Sequence, residues 1–246
     1  MVSLHQRTEI GLATAERPVA TSVAGSAAQA SCYVLQYLPR AQTALAQIAA
    51  AWLDEVSPTP VPQLNPTERG RLTVALSRNG FCSNLTPAFE LASRFDQTDL
   101  TAAICALTRC APGFDLDLRL DEHDRVLMVT GPIVDTPLQA LRTACLRLSD
   151  HLAAPVLGRP ARSLRGRHAI GNRGRHAVGN EDMLWLPLTA RIPNNTLRSR
   201  IRGVLQGLFA EALVPPHRVD AISLAMQTAG VGPFREVVRF ALEKAG

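Results

Sequence analysis

The chain has 246 residues, 46% hydrophobic and 19% charged, with a formal net charge of +5. That balance excludes a disordered or fibrous chain and suits either one sizeable domain or two small lobes. Aromatics make up only 4%, so the interior must be mainly aliphatic. The five cysteines are odd in number and irregular in spacing, which points to free thiols in a reducing, cytoplasmic setting. The opening MVSLHQRTEIGLATAERPVA shows no apolar run behind a basic start, and no stretch is long and apolar enough for a membrane span.

Residues 1–31 are rich in Ala, Ser and Thr without strong periodicity and read as a loosely ordered extension before a single domain over 32–246. CYVLQYL (32–38) is short, apolar and bounded by Pro39, which predicts a buried strand. ALAQIAAAWLDEV (44–56) has apolar residues at helical spacing. SPTPVPQLNP is a Pro-rich connector, and ERGRLTVAL predicts a short helix. In NGFCSNLTPAFELA (79–92) a turn precedes a strand that Pro87 ends. TDLTAAICALTRCA (98–111) opens on a cap-like Thr-Asp and predicts a helix. FDLDLRLDEHDRVLMVTG (114–131) alternates about a DEHD turn, the pattern of a half-buried hairpin. TPLQALRTACLRLSDHLA (136–153) predicts a further amphipathic helix.

A block without acids follows. Residues 165–180 read RGRHAIGNRGRHAVGN, one phrase written twice with a single Ile170/Val178 difference. Arg165, Arg167, His168, Arg173, Arg175 and His176 make it a cationic arm over about 158–182. Such a block attracts anions or nucleic acid, while the plainer reading is a solvated, duplicated loop. The histidine spacing fits no helix face and has no nearby acidic or thiol ligand, so no metal and no cofactor are expected. Beyond the arm, MLWLPLTARI (183–192) predicts a strand interrupted by Pro187. NNTLRSRIRGVLQGLFAEAL (194–213) predicts a helix capped by Asn195 or Thr196. HRVDAISLAMQ and FREVVRFALE predict two closing strands about TAGVGP. Roughly four helices and seven strands in antiparallel-looking pairs make the class α+β.

This order resembles the two-histidine phosphoesterase superfamily, and within it the branch associated with phosphonate metabolism. The resemblance lies in CYVLQYLPRAQTALAQIAAAWL, in RNGFCSNLTPAFELA, in the hairpin and helix from PGFDLDL to LAAPV, and in LPLTARI with the closing strands. It covers about residues 31–246 and implies a bilobal fold, with two antiparallel sheets and flanking helices around a central groove. In that family two His-x-Thr/Ser motifs face each other. One imidazole takes a proton from the attacking hydroxyl and the other gives one to the leaving oxygen.

Carried over by position, the first motif falls on Cys82 and Asn84 and the second on Trp185 and Pro187. Both imidazoles and both hydroxyls are gone. Each lost acid or base is worth about 10²- to 10⁴-fold in rate. Trp cannot carry the proton, and Pro lacks even a backbone donor. The resemblance therefore implies a degenerate phosphoesterase-like protein that binds a phosphorylated or otherwise anionic small molecule or a partner. Cys82 reads either as a thiolate helped by Arg78 or as a small buried hydrophobe. Trp185 reads either as a stacking wall or as a plug in the cleft. Tyr33 and Thr189 are expected at the groove floor, with Thr189 and Arg191 on the face of Trp185 and Pro187 by alternation. The alternatives are recruitment of the groove for a reaction on an organic substrate, and nucleic-acid binding by the arm. The arm lacks the interleaved aromatics of single-strand binders.

Overall fold

The computed structural model describes residues 31–54, 64–77, 80–133, 136–154, 183–228 and 232–243. The expected extension over 1–31, apart from its last residue, and the arm over 158–182 lie outside the described residues, as does Arg78.

The apolar run CYVLQY forms β1 (Cys32–Tyr37), the central strand of the larger sheet. Its neighbours are all antiparallel. β9 (Ala221–Gln227) lies on one side, with β10 (Arg235–Ala241) beyond it. β2 (Ser83–Asn84) and β3 (Phe89–Glu90) share the other side. The smaller sheet is β5 (Arg119–His123), β6 (Val126–Pro132) and β7 (Met183–Pro187), with β6 central. β4 (Phe114–Leu116) does not continue the hairpin as 114–131 suggested but pairs with β8 (His217–Val219). The hairpin turn, His123 to Val126, is also two residues further along than DEHD. Asp124 and Arg125 both take positive φ, 47° and 67°, the left-handed pair that two-residue hairpins need. Gly131 is the most crowded of the described glycines, since a Cβ there would stand 2.8 Å from Leu118 Cδ2.

Five helices among the described residues cover these sheets. α1 (Ala44–Leu53) starts at Thr43, whose hydroxyl accepts from the Ala46 amide. α2 (Pro66–Ser77) is longer than ERGRLTVAL because Pro66 fits the first helical turn. α3 (Gln97–Arg109) is capped by Asp96 in a reciprocal box with Asp99. α4 (Pro137–Leu152) follows β6. α5 (Asn195–Phe209) is capped by Asn194, not Asn195 or Thr196, the Asn194 side chain accepting from the Leu197 amide at 2.9 Å. The class is α+β: among the described residues, antiparallel sheets of five, three and two strands with flanking helices. No helix among the described residues is long and apolar enough to cross a membrane.

One apolar cluster runs through both halves, taking in Leu35 and Tyr37 from β1 and Leu127, Val129, Leu184 and Leu186 from β6 and β7. The halves are also tied by Trp52 on α1, whose Nε1 donates to the Leu188 carbonyl at 2.7 Å.

Candidate functional site

The two motif segments end in the same device. The amides of Leu85 and Thr86 both donate to the Leu35 carbonyl, at 2.8 and 3.3 Å, while the Thr86 hydroxyl accepts from the Leu35 amide at 3.0 Å. The amides of Leu188 and Thr189 both donate to the Leu127 carbonyl, at 2.9 and 3.2 Å, while the Thr189 hydroxyl accepts from the Leu127 amide at 3.0 Å. Each clamp closes a two-strand ladder: Gln36 lies opposite Asn84 in one sheet, and Met128 opposite Pro187 in the other. Counting back from the clamps, Cys82 matches Trp185 and Asn84 matches Pro187.

The two ladders meet edge to edge. The outward amide of Trp185 on β7 donates to the Ser83 hydroxyl on β2 at 3.2 Å, so both motif strands lie at the seam between the sheets. The clustered core residues Leu35, Tyr37, Leu127, Val129, Leu184 and Leu186 all face the helices. Strand alternation then sends Gln36, Asn84, Met128, Thr130, Trp185 and Pro187 to the opposite face. Val34, Met128 and Ala225 are buried without joining that cluster, consistent with a second, separate face.

On the larger sheet, Arg239, Ser223, Gln36 and Asn84 are successive partners across β10, β9, β1 and β2, so one polar row crosses four strands and ends at the seam. A Glu236 carboxylate oxygen accepts from the Ser223 hydroxyl at 2.6 Å and from Arg239 Nε at 3.0 Å. Burial raises the Glu236 carboxyl, but these bonds and the Arg239 charge outweigh it and hold the group below its ordinary range. Asn84 is exposed at the end of this row.

On the smaller sheet, Arg119, Thr130 and Trp185 are partners across β5, β6 and β7. The Trp185 indole reaches over β6 to the hairpin, where its ring stands edge-on to His123 with centroids 4.6 Å apart. It is half-buried, and its Nε1 is shut from water without a hydrogen-bond partner among the described residues. The hydroxyl of Thr130, 3% exposed, is in the same condition. Each such orphan costs about 1–3 kcal/mol when nothing fills it.

Several expected site residues lie elsewhere. Tyr33 faces the core, 7% exposed, with its ring 6.2 Å from Phe89. Thr189 is drawn into its clamp, because β7 ends at Pro187 and alternation ends with it. Arg191 is exposed and ion-paired to Asp124 of the hairpin turn at 2.8 Å. Burial pushes the Cys82 thiol up to about 11, so it is a protonated thiol at neutral pH and no nucleophile. The sequence reading missed Thr86 although a signal existed: Leu-Thr follows each motif at the same interval, in NLT and PLT. Gln36, Ser223, Arg239 and Thr130 carried no such signal; only strand register lines them up. Among the described residues no cluster of His, Cys, Asp and Glu is placed to hold a metal ion.

A family profile described as "Protein of unknown function (DUF1045)" matches residues 84–235, more than half of the chain. The crystal structure of E. coli LigT complexed with 3'-AMP is similar at a TM-score of 0.40 and 13% sequence identity, over 87% of this chain and 98% of that one. No curated protein matches.

Proposed function

The chain belongs to the family described as protein of unknown function (DUF1045), and from that premise we propose that it is a ligand-binding protein on a two-histidine-phosphoesterase-like scaffold that has given up proton-transfer chemistry. One observation carries this reading: the clamp-matched positions hold Cys82 and Asn84 in one lobe and Trp185 and Pro187 in the other. Opening a cyclic phosphodiester without metal needs a base on one side and an acid on the other. Cys82 keeps its proton and Trp185 has no lone pair to take one. His123 brings one imidazole to the indole, and one imidazole does not replace an opposed pair.

What remains is shape and fixed dipoles. Asn84 supplies an amide at the seam, and Arg239, whose charge Glu236 offsets at 3.0 Å, supplies guanidinium N–H donors at the far end of the polar row, which suits a small molecule rich in acceptor oxygens. The sequence resemblance adds a link to phosphonate metabolism and makes phosphonates natural candidates. A second reading, recruitment for an organic substrate, is favoured by the indole laid across the smaller sheet as an apolar wall.

Calorimetry with metal-free protein against 2′,3′-cyclic nucleotides, phosphonates and short RNA tests the proposal. The expected result is saturable binding of at least one small anionic member and no turnover of the cyclic phosphates. Sustained turnover, or no binding to any member, overturns it.

A further inference from the structure

We propose that the small-sheet half of the groove holds a carbonyl oxygen carried on an apolar body, with the Thr130 hydroxyl and the Trp185 indole N–H as its two donors. This rests on the reading that the groove retains a ligand, and it names the chemistry of one end of that ligand.

Thr130 and Trp185 are Cα partners on neighbouring strands, so their side chains rise from the same face side by side. Both polar atoms are buried and have no hydrogen-bond partner among the described residues. Buried donors in folded proteins are nearly always paired, and two orphans on adjacent positions of one groove face point to a shared acceptor. Both groups donate, and an indole N–H does nothing else, so the missing atom is an acceptor oxygen.

The surroundings select which oxygen. Met128, 1% exposed, and Pro187 share the face with the half-buried indole and make most of its surroundings apolar, the His123 ring against the indole being the polar exception. Arg119 is the one permanent cation of that face among the described residues. It is 72% exposed, and Asp121 at 3.4 Å offsets its charge. A phosphate dianion would leave its second charge unmatched beside apolar walls, which is costly. A carbonyl oxygen needs only the two donors, and its apolar substituent gains by covering the indole. The ligand then has two unlike ends, a polar one along the row from Asn84 to Arg239 and an apolar, carbonyl-bearing one over Trp185.

The chain has two tryptophans, so two indole N–H signals are expected in a proton–nitrogen correlation spectrum. Trp52, bonded to the Leu188 carbonyl, is the internal reference. Benzamide and inorganic phosphate are the probes. The expected result is a saturable downfield shift of the Trp185 signal with benzamide, no saturable shift with phosphate, and a still Trp52 signal. Thr130→Val, which keeps the shape, weakens benzamide by about tenfold, and the unmoved Trp52 signal shows that it folds. Unchanged benzamide affinity in Thr130→Val, or a saturable Trp185 shift with phosphate but not benzamide, overturns this subsite and leaves the groove reading standing. If neither probe moves Trp185 while the calorimetric panel binds, this subsite alone fails; if the panel is silent too, both fail.

Discussion

Thr86 and Thr189 hold equivalent places in the two halves: each hydroxyl accepts a backbone amide, from Leu35 and Leu127, at 3.0 Å in both cases. Both threonines are buried, 3% and 1% exposed, so removing either hydroxyl leaves an amide without a partner in a dry place. Thr86→Val and Thr189→Val are each expected to cost about 1–3 kcal/mol. Urea unfolding of the two variants checks this. Equal losses support a matched pair of clamps, and a loss below about 0.5 kcal/mol in either removes that variant's clamp from the account.

Cys82 and Cys110 differ in environment. Cys110 is exposed at the end of α3, whereas burial holds the Cys82 thiol at about 11. Because the thiolate is the reactive form, iodoacetamide at pH 7.5 is expected to modify Cys110 first and leave Cys82 nearly untouched. Peptide mass spectrometry over a time course reads this directly. Fast labelling of Cys82 in folded protein would revive the nucleophile reading.

His217 gives a pH dependence. Desolvation holds its imidazole below the ordinary 6.5, against smaller opposing effects of a hydrogen bond with Ala212 and the charge of Asp117. The unfolded chain therefore takes up the proton more readily than the folded one. The stabilisation is fully present above pH 6.5 and is lost as pH falls below it toward the folded value. Urea midpoints at pH 7.5 and 5.5 should show a decline in the wild type that is smaller in His217→Gln. An equal decline in both would exclude His217 as the source.

Arg125 occupies a left-handed position at φ 67° in the hairpin turn, and its carbonyl accepts from the Ile192 amide. Glycine adopts that conformation without steric cost. Arg125→Gly is expected to raise stability by about 0.5–1 kcal/mol and to leave ligand binding unchanged. Thermal melts read the first and calorimetry the second.

Trp52 and Trp185 separate structure from binding. Trp52 is 2% exposed and joins α1 to the chain after β7. Trp52→Phe leaves the Leu188 carbonyl unpaired and should cost about 1–3 kcal/mol, with little change in affinity for whatever binds the groove. Trp185→Ala should lower affinity, with a stability cost from lost packing alone, since its Nε1 has no hydrogen-bond partner among the described residues to lose. Affinity and stability measured on both variants decide it, and matching behaviour would deny Trp185 a role of its own.

Local pattern determined much of this molecule. Apolar periodicity placed β1, α1, α3, α4 and α5, because burying one face of each element dominates its stability and writes itself into the spacing of Leu, Ala and Val. The positions Cys82 and Trp185 were singled out by family resemblance and not by periodicity; local pattern gave only the short strands beside and around them. Tertiary structure alone decided the rest. Nothing near Thr189 in sequence says that its hydroxyl will reach Leu127, so alternation carried it wrongly into the groove beyond the strand's end at Pro187. Nothing near Phe114 says that β4 will leave its hairpin for β8, more than a hundred residues away. The row from Arg239 to Asn84 and the unpartnered pair Thr130 and Trp185 exist only once register is set. Register is fixed by contacts between distant segments, and a one-residue slip would turn every one of those side chains to the other face.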